Sequence, residues 1–93
     1  RKIFELAKVY YHYGEFLFEE KDYKEAFIVV ARGLSFVQQF CSYYYLLELT
    51  DLNGKILQKL GKKERALPFL SLAEYIKNLD FVKSFDSLDF ENE

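Results

Sequence analysis

His12 is the only histidine, and Glu15 follows it three residues later. On a helix those two side chains are neighbours. They could therefore act as a base and its orienting carboxylate. No nucleophile is specified beside them, so the pair reads as a surface or binding contact, and no catalytic residue is assigned. Cys41 is the only cysteine, which leaves no disulfide framework and no redox pair. It reads as a small hydrophobe at a helix junction. One His and one Cys cannot build a zinc site. Asp51-x-Asn53-Gly54 has the outline of a calcium loop, but Lys55 stands where the next oxygen ligand is needed. No metal and no cofactor is assigned. Lys55, Lys59, Lys62, Lys63 and Arg65 form a local basic cluster interrupted only by Glu64. It reads as a solvated helix end, where cations complement the dipole.

These residues belong to a chain of 93, one domain's worth at most. Thirteen Lys and Arg against fifteen Asp and Glu give a net charge of -2. Non-specific phosphate binding needs a basic surface, so direct nucleic-acid binding is not expected. Apolar residues make up 51% and aromatics 19%, enough to build a core. One Pro and four Gly supply little turn chemistry, which disfavours a many-stranded β fold. No run approaches the roughly 18 apolar residues of a membrane span. The charged start lacks the apolar core of a signal peptide. A lone cysteine fits a reducing cytosol, so a cytoplasmic location is expected. The chain contains no Met, and reads as a segment of something longer.

Apolar periodicity places four helices. Residues 1–20 carry Leu6, Tyr10, Tyr13, Gly14 and Leu17 on one face. Asp22 with Glu25 starts a second helix, about 22–40, with Ala26, Phe27, Val30, Gly33, Leu34 and Val37 on one side. A third, about 42–60, is capped by Ser42 and buries Leu46, Leu49, Thr50, Asn53, Gly54, Leu57 and Leu60. Gly61 suits the left-handed turn after it. A fourth, about 63–78, shows Ala66, Leu67, Leu70, Ala73 and Ile76, with Pro68 predicting an irregular first turn. The acidic stretch 80–93 keeps Phe81, Phe85 and Leu88 at helical spacing. It reads as a short capping helix leaning on the basic cluster, or as a disordered extension to a helical domain at 1–79.

Two segments repeat one pattern. Tyr10-x-x-Tyr13-Gly14-x-x-Leu17 precedes Ala26-x-x-x-Val30-x-x-Gly33. Thr50-x-x-Asn53-Gly54-x-x-Leu57 precedes Ala66-x-x-x-Leu70-x-x-Ala73. The offset is 40 residues throughout, from Gly14 to Gly54 and from Ala26 to Ala66. A mid-helix Gly costs about 0.5–1 kcal/mol against Ala, so its recurrence signals close helix approach, with Ala26 and Ala66 as the facing small residues. The pattern resembles the tetratricopeptide repeat, over repeats at about 7–40 and 47–80. It departs from that family in its offset, longer than the usual ~34 residues, in Lys21 at a turn position usually held by Gly, and in the missing closing Pro. The resemblance implies an all-α fold of two antiparallel helix pairs, stacked as a short right-handed superhelix.

It also implies a concave groove lined by the first helix of each pair. The groove positions would be Lys8, Tyr11, His12, Glu15, Phe18 and Glu19, then Glu48, Asp51, Leu52, Lys55, Gln58 and Lys59. Of these, Lys8, Tyr11, His12, Glu15, Phe18, Asp51, Leu52, Lys55 and Lys59 are the candidate peptide-binding residues. Aromatic and charged side chains in one stripe suit a peptide, whose backbone needs polar partners and whose side chains need pockets. Family members that clamp the carboxylate of chaperone tails use Asn where Glu15 and Leu52 stand, so that ligand is disfavoured. Long helices and bulky aromatics look more like bacterial peptide-pheromone receptors of the Rap and PlcR type, in which groove Asn side chains hold the peptide. Asn53 is the nearby candidate here, though its register points to the interior. The expected function is non-catalytic binding of a peptide or protein segment within a larger regulatory protein. The alternative is a self-association or capping segment of a longer repeat array.

Overall fold

The computed structural model describes residues 2–40 and 45–79. They form α1 (Lys2–Glu19), α2 (Tyr23–Gln39), α3 (Leu46–Lys59) and α4 (Lys63–Lys77). No strand occurs among the described residues. Cys41, Ser42 and the stretch 80–93 lie outside them, and with them the expected junction, cap and capping helix. No helix among the described residues is long and apolar enough to cross a membrane.

Each helix packs on its neighbour in sequence, α1 on α2, α2 on α3 and α3 on α4, and α1 also touches α3. The turns that close the two pairs share one geometry. Lys21 N–H donates to the Phe18 carbonyl at 3.0 Å, and Asp22 N–H to the Leu17 carbonyl at 2.9 Å. Forty residues on, Gly61 N–H donates to the Gln58 carbonyl at 3.0 Å, and Lys62 N–H to the Leu57 carbonyl at 2.8 Å. This double closure is a left-handed C-terminal cap. Its central residue has φ 65° at Lys21 and φ 79° at Gly61. The repeat read from side-chain pattern thus recurs in the backbone hydrogen bonds.

Close approach of the paired helices rests on the two mid-helix glycines, but their partners differ from the expected alanines. A Cβ at Gly14 would collide with Val30 Cγ2. A Cβ at Gly54 would stand 2.6 Å from Leu70 Cδ2 and 3.3 Å from the Leu70 backbone nitrogen. Val30 and Leu70 are again 40 residues apart. Gly33 lies where three helices meet, with its missing Cβ facing Tyr10 Cβ at 2.8 Å and Leu49 Cδ2 at 3.2 Å.

Other departures have physical causes. On α1 the buried positions are Ala7, Gly14 and Leu17, while Leu6 and Tyr13 are exposed. Among the described residues α1 packs against α2 and α3 only, and Leu6, Val9, Tyr13 and Phe16 stay exposed on it. α3 begins at Leu46 rather than near residue 42, after Tyr45 at φ 61°, a backbone state that cannot continue into a helix. α3 is also more deeply enclosed than its stripe indicated, because it is covered by α2 and α4 and touched by α1; Leu52 and Ile56 join its core. On α4 only Ala66 and Ala73 are buried, and Leu67 is exposed. α4 runs unbroken through Pro68. Both Pro68 and Glu64, whose carbonyl loses its partner, are exposed, so water can take the orphaned acceptor. Asn53 is enclosed in the core, 2% exposed, and its Oδ1 accepts no hydrogen bond.

Two substitutions follow from this geometry. Gly54→Leu drives side-chain volume into Leu70 and lowers stability by about 1–3 kcal/mol, because the obstructing nitrogen belongs to a packed helix. Lys21→Gly relieves a left-handed L-residue and raises stability by about 0.5–1 kcal/mol. Denaturant midpoints measure both. An unchanged midpoint for Gly54→Leu would remove the packing argument.

Candidate functional site

α1 and α3 lie side by side and leave a half-open groove of about 370 Å³ between them. Tyr11, Glu15, Phe18 and Glu19 line it from α1, Leu47, Glu48, Asp51, Leu52 and Lys55 from α3, and Lys77 from the last turn of α4. The α1 residues fall at i, i+4, i+7 and i+8, one helix stripe. Those of α3 fall at i, i+1, i+4 and i+8 from Leu47 through Glu48, Asp51 and Lys55, also one stripe. The groove therefore brings together six of the positions singled out for peptide binding: Tyr11, Glu15, Phe18, Asp51, Leu52 and Lys55.

Leu52 sits deeper than expected, since it is buried and its Cδ2 lies 3.6 Å from where a Gly14 Cβ would be. It forms the floor, not a surface contact. His12 stands beside the groove: its Nδ1 lies 3.5 Å from Glu15 Oε1, and its ring packs edge-on to Tyr11 at 5.1 Å between centroids. Lys8 and Lys59 are exposed and do not line the groove. They lie a turn away from its centre on their helices. Asn53 points into the core, away from this surface.

Three contributors escaped the sequence. Lys77 comes from a helix assigned to the outer layer, and only the antiparallel run of α4 returns its end to the start of α3. Leu47 extends the α3 stripe by one residue beyond Glu48, where the expected groove positions begin. Tyr45 is the third. Its left-handed backbone places its ring 5.4 Å from Tyr11, 5.9 Å from Phe4 and 6.0 Å from His12, so it packs beside the groove against the Tyr11 ring that lines it.

Four carboxylates and two ammonium groups line this space, so its charge is acidic on balance. Asp51 is paired with Lys55, at 3.0 Å. Glu15 Oε2 accepts from the Tyr11 hydroxyl at 3.2 Å. Glu19 and Glu48 have no cationic partner among the described residues. Burial pushes the Tyr11 phenol up to about 12, and the Glu15, Glu48 and Asp51 carboxylates add to this. Deprotonation would place a fifth anion among the four carboxylates. No group of His, Cys, Asp and Glu among the described residues is arranged to hold a metal ion.

Below pH 10.0, the ordinary value, Tyr11 is protonated whether the chain is folded or not. Between there and about 12 the unfolded chain loses the proton first, so Tyr11's contribution to stability falls as pH rises through that window. Tyr11 is expected to ionise after an ordinary exposed tyrosine, and Glu15→Gln to bring it part of the way down. Ring-carbon shifts in an alkaline NMR titration read this directly. A normal Tyr11 titration would mean that the groove carboxylates do not act on it. No protein-family model matches the chain, and no curated protein and no solved structure matches it.

Proposed function

We propose that this chain is a non-catalytic binding module, a pair of tetratricopeptide-type repeats stacked in a short right-handed superhelix, that takes a peptide or protein segment in the α1–α3 groove. The observation that carries this reading is the lining itself: Tyr11 and Phe18 beside four carboxylates, of which Glu19 and Glu48 have no ion-pair partner among the described residues. A ligand that suits it carries an aromatic or aliphatic side chain next to Lys or Arg. The rings take the apolar part, and Glu19 and Glu48 take the charge. Such a module would serve within a larger regulatory protein of the peptide-sensing kind.

Titration with a short peptide of alternating Arg and Leu or Phe, followed by amide chemical shifts, tests the reading. The expected shifts are at Tyr11, Glu15, Phe18, Glu48, Asp51 and Lys55. Glu48→Lys is expected to weaken binding about fivefold, the equivalent of about 1 kcal/mol for one partly exposed charge pair. Shifts confined to 23–39 and 63–77 would put the ligand on the opposite face and overturn the groove reading.

A further inference from the structure

The groove holds its two uncompensated anions at opposite ends. Asp51 is held by Lys55, and Glu15 is engaged by the Tyr11 hydroxyl and by His12. Glu19 and Glu48 are exposed and have no ion-pair partner among the described residues. Two contacts fix how far apart they stand. Leu52 Cδ2 comes within 3.6 Å of the Cβ position of Gly14, and Glu48 is close enough to Tyr11 to act on its phenol. α1 and α3 therefore run parallel, with Gly14 level with Leu52. Glu48 stands four residues before that level and Glu19 five residues after it. At about 1.5 Å of rise per residue, they are separated by about 13–14 Å along the groove. Tyr11 and Phe18 flank the same level, so the floor at Leu52 lies midway between the two carboxylates.

Given peptide binding in this groove, on which this inference rests, we propose that it selects an extended segment with a basic, an apolar and a basic side chain at alternate positions, Arg-x-Leu-x-Arg or its Lys equivalent. In extended chain, side chains at i, i+2 and i+4 point to one side, and i to i+4 spans about 13 Å. The outer cations then reach Glu48 beside Tyr11 and Glu19 beside Phe18, and the central side chain meets Leu52. Arg suits both ends, since its guanidinium pairs with a carboxylate and also lies on an aromatic face.

A helical guest fits less well. Its side chains return to one face after seven or eleven residues, about 10 or 16 Å, which falls short of the second carboxylate or overshoots it. Lys77 reaches the Glu48 end from α4 and forms no ion pair among the described residues. The guest shares that end with Lys77, and Glu19 is the stronger anchor.

Three end-capped peptides of one composition test the spacing, by chemical-shift titration of the full chain at low salt. They are Arg-Ser-Leu-Ser-Arg, Ser-Arg-Leu-Arg-Ser and Arg-Leu-Ser-Arg-Ser. Net charge and apolar content are equal, so only placement differs. The first is expected to bind about two- to fivefold tighter than the other two, the gain of one further exposed charge pair. Glu19→Gln and Glu48→Gln, exposed changes whose fold is checked by circular dichroism, are each expected to remove that preference. Glu20→Gln, an equally exposed change outside the lining, is expected to keep it. Equal affinities for the three isomers, with shifts at Tyr11 and Phe18, would overturn the spacing and leave peptide binding in the groove standing. So would a preference that survives Glu19→Gln, or one that is lost with Glu20→Gln. No shift at Tyr11 or Phe18 with any isomer would overturn both.

Discussion

Two missing side chains set the spacing of this molecule. Where Gly14 meets Val30 and Gly54 meets Leu70, the paired helices stand closer than any Cβ would allow. That proximity lets short side chains such as Ala26, Ala66 and Ala73 fill the rest of the contact. It also fixes where the turns must fall. Both connections use a three-residue closure with one left-handed residue, and the shared hydrogen bonds show the same solution reached with Gly once and with Lys once. The groove lies beside this contact, since Leu52 on its floor comes within 3.6 Å of the Cβ position of Gly14.

Much of this was legible as pattern. Gly14 and Gly54 announced themselves by an identical offset in an otherwise unfavourable setting, and four helices followed from apolar periodicity. The glycines' partners were not legible. A pattern gives the face of a helix but not its axial position against a neighbour, so it points to Ala26 where Val30 stands. The buried face of α1 was misplaced because apolar residues surround most of that helix, and periodicity cannot say which of two apolar faces is covered. Tyr45 shows a different limit. Nothing in its residue type predicts a left-handed backbone, yet that single conformation sets the start of α3 and brings a ring against Tyr11 beside the groove.

The groove residues were partly legible for the same reason. Stripes on α1 and α3 can be read from spacing, and Tyr11, Glu15, Phe18, Asp51 and Lys55 share one surface. Their depth cannot be read that way. Leu52 became floor, and Lys8 and Lys59 fell outside the lining, because groove width depends on how two helices incline to each other. The acidic balance of the site is likewise a property of the assembly: Asp51 is offset by its own neighbour Lys55, while Glu19 of α1 and Glu48 of α3 add to one lining only because the two helices lie side by side.

Packing that runs only between near neighbours has a consequence for motion. α4 touches α3 and no other described helix, so the chain behaves as a short linear array in which an end unit can detach without disturbing the far one. α4 is the cheaper end to release, since it buries only two alanines fully. When it frays, Lys77 leaves the groove while Tyr11 and Phe18 stay in place, and the mouth becomes more negative at the moment it widens. Slow amide exchange should accordingly be concentrated in α2 and α3, and a cationic guest would gain entry through the most weakly held part of the fold.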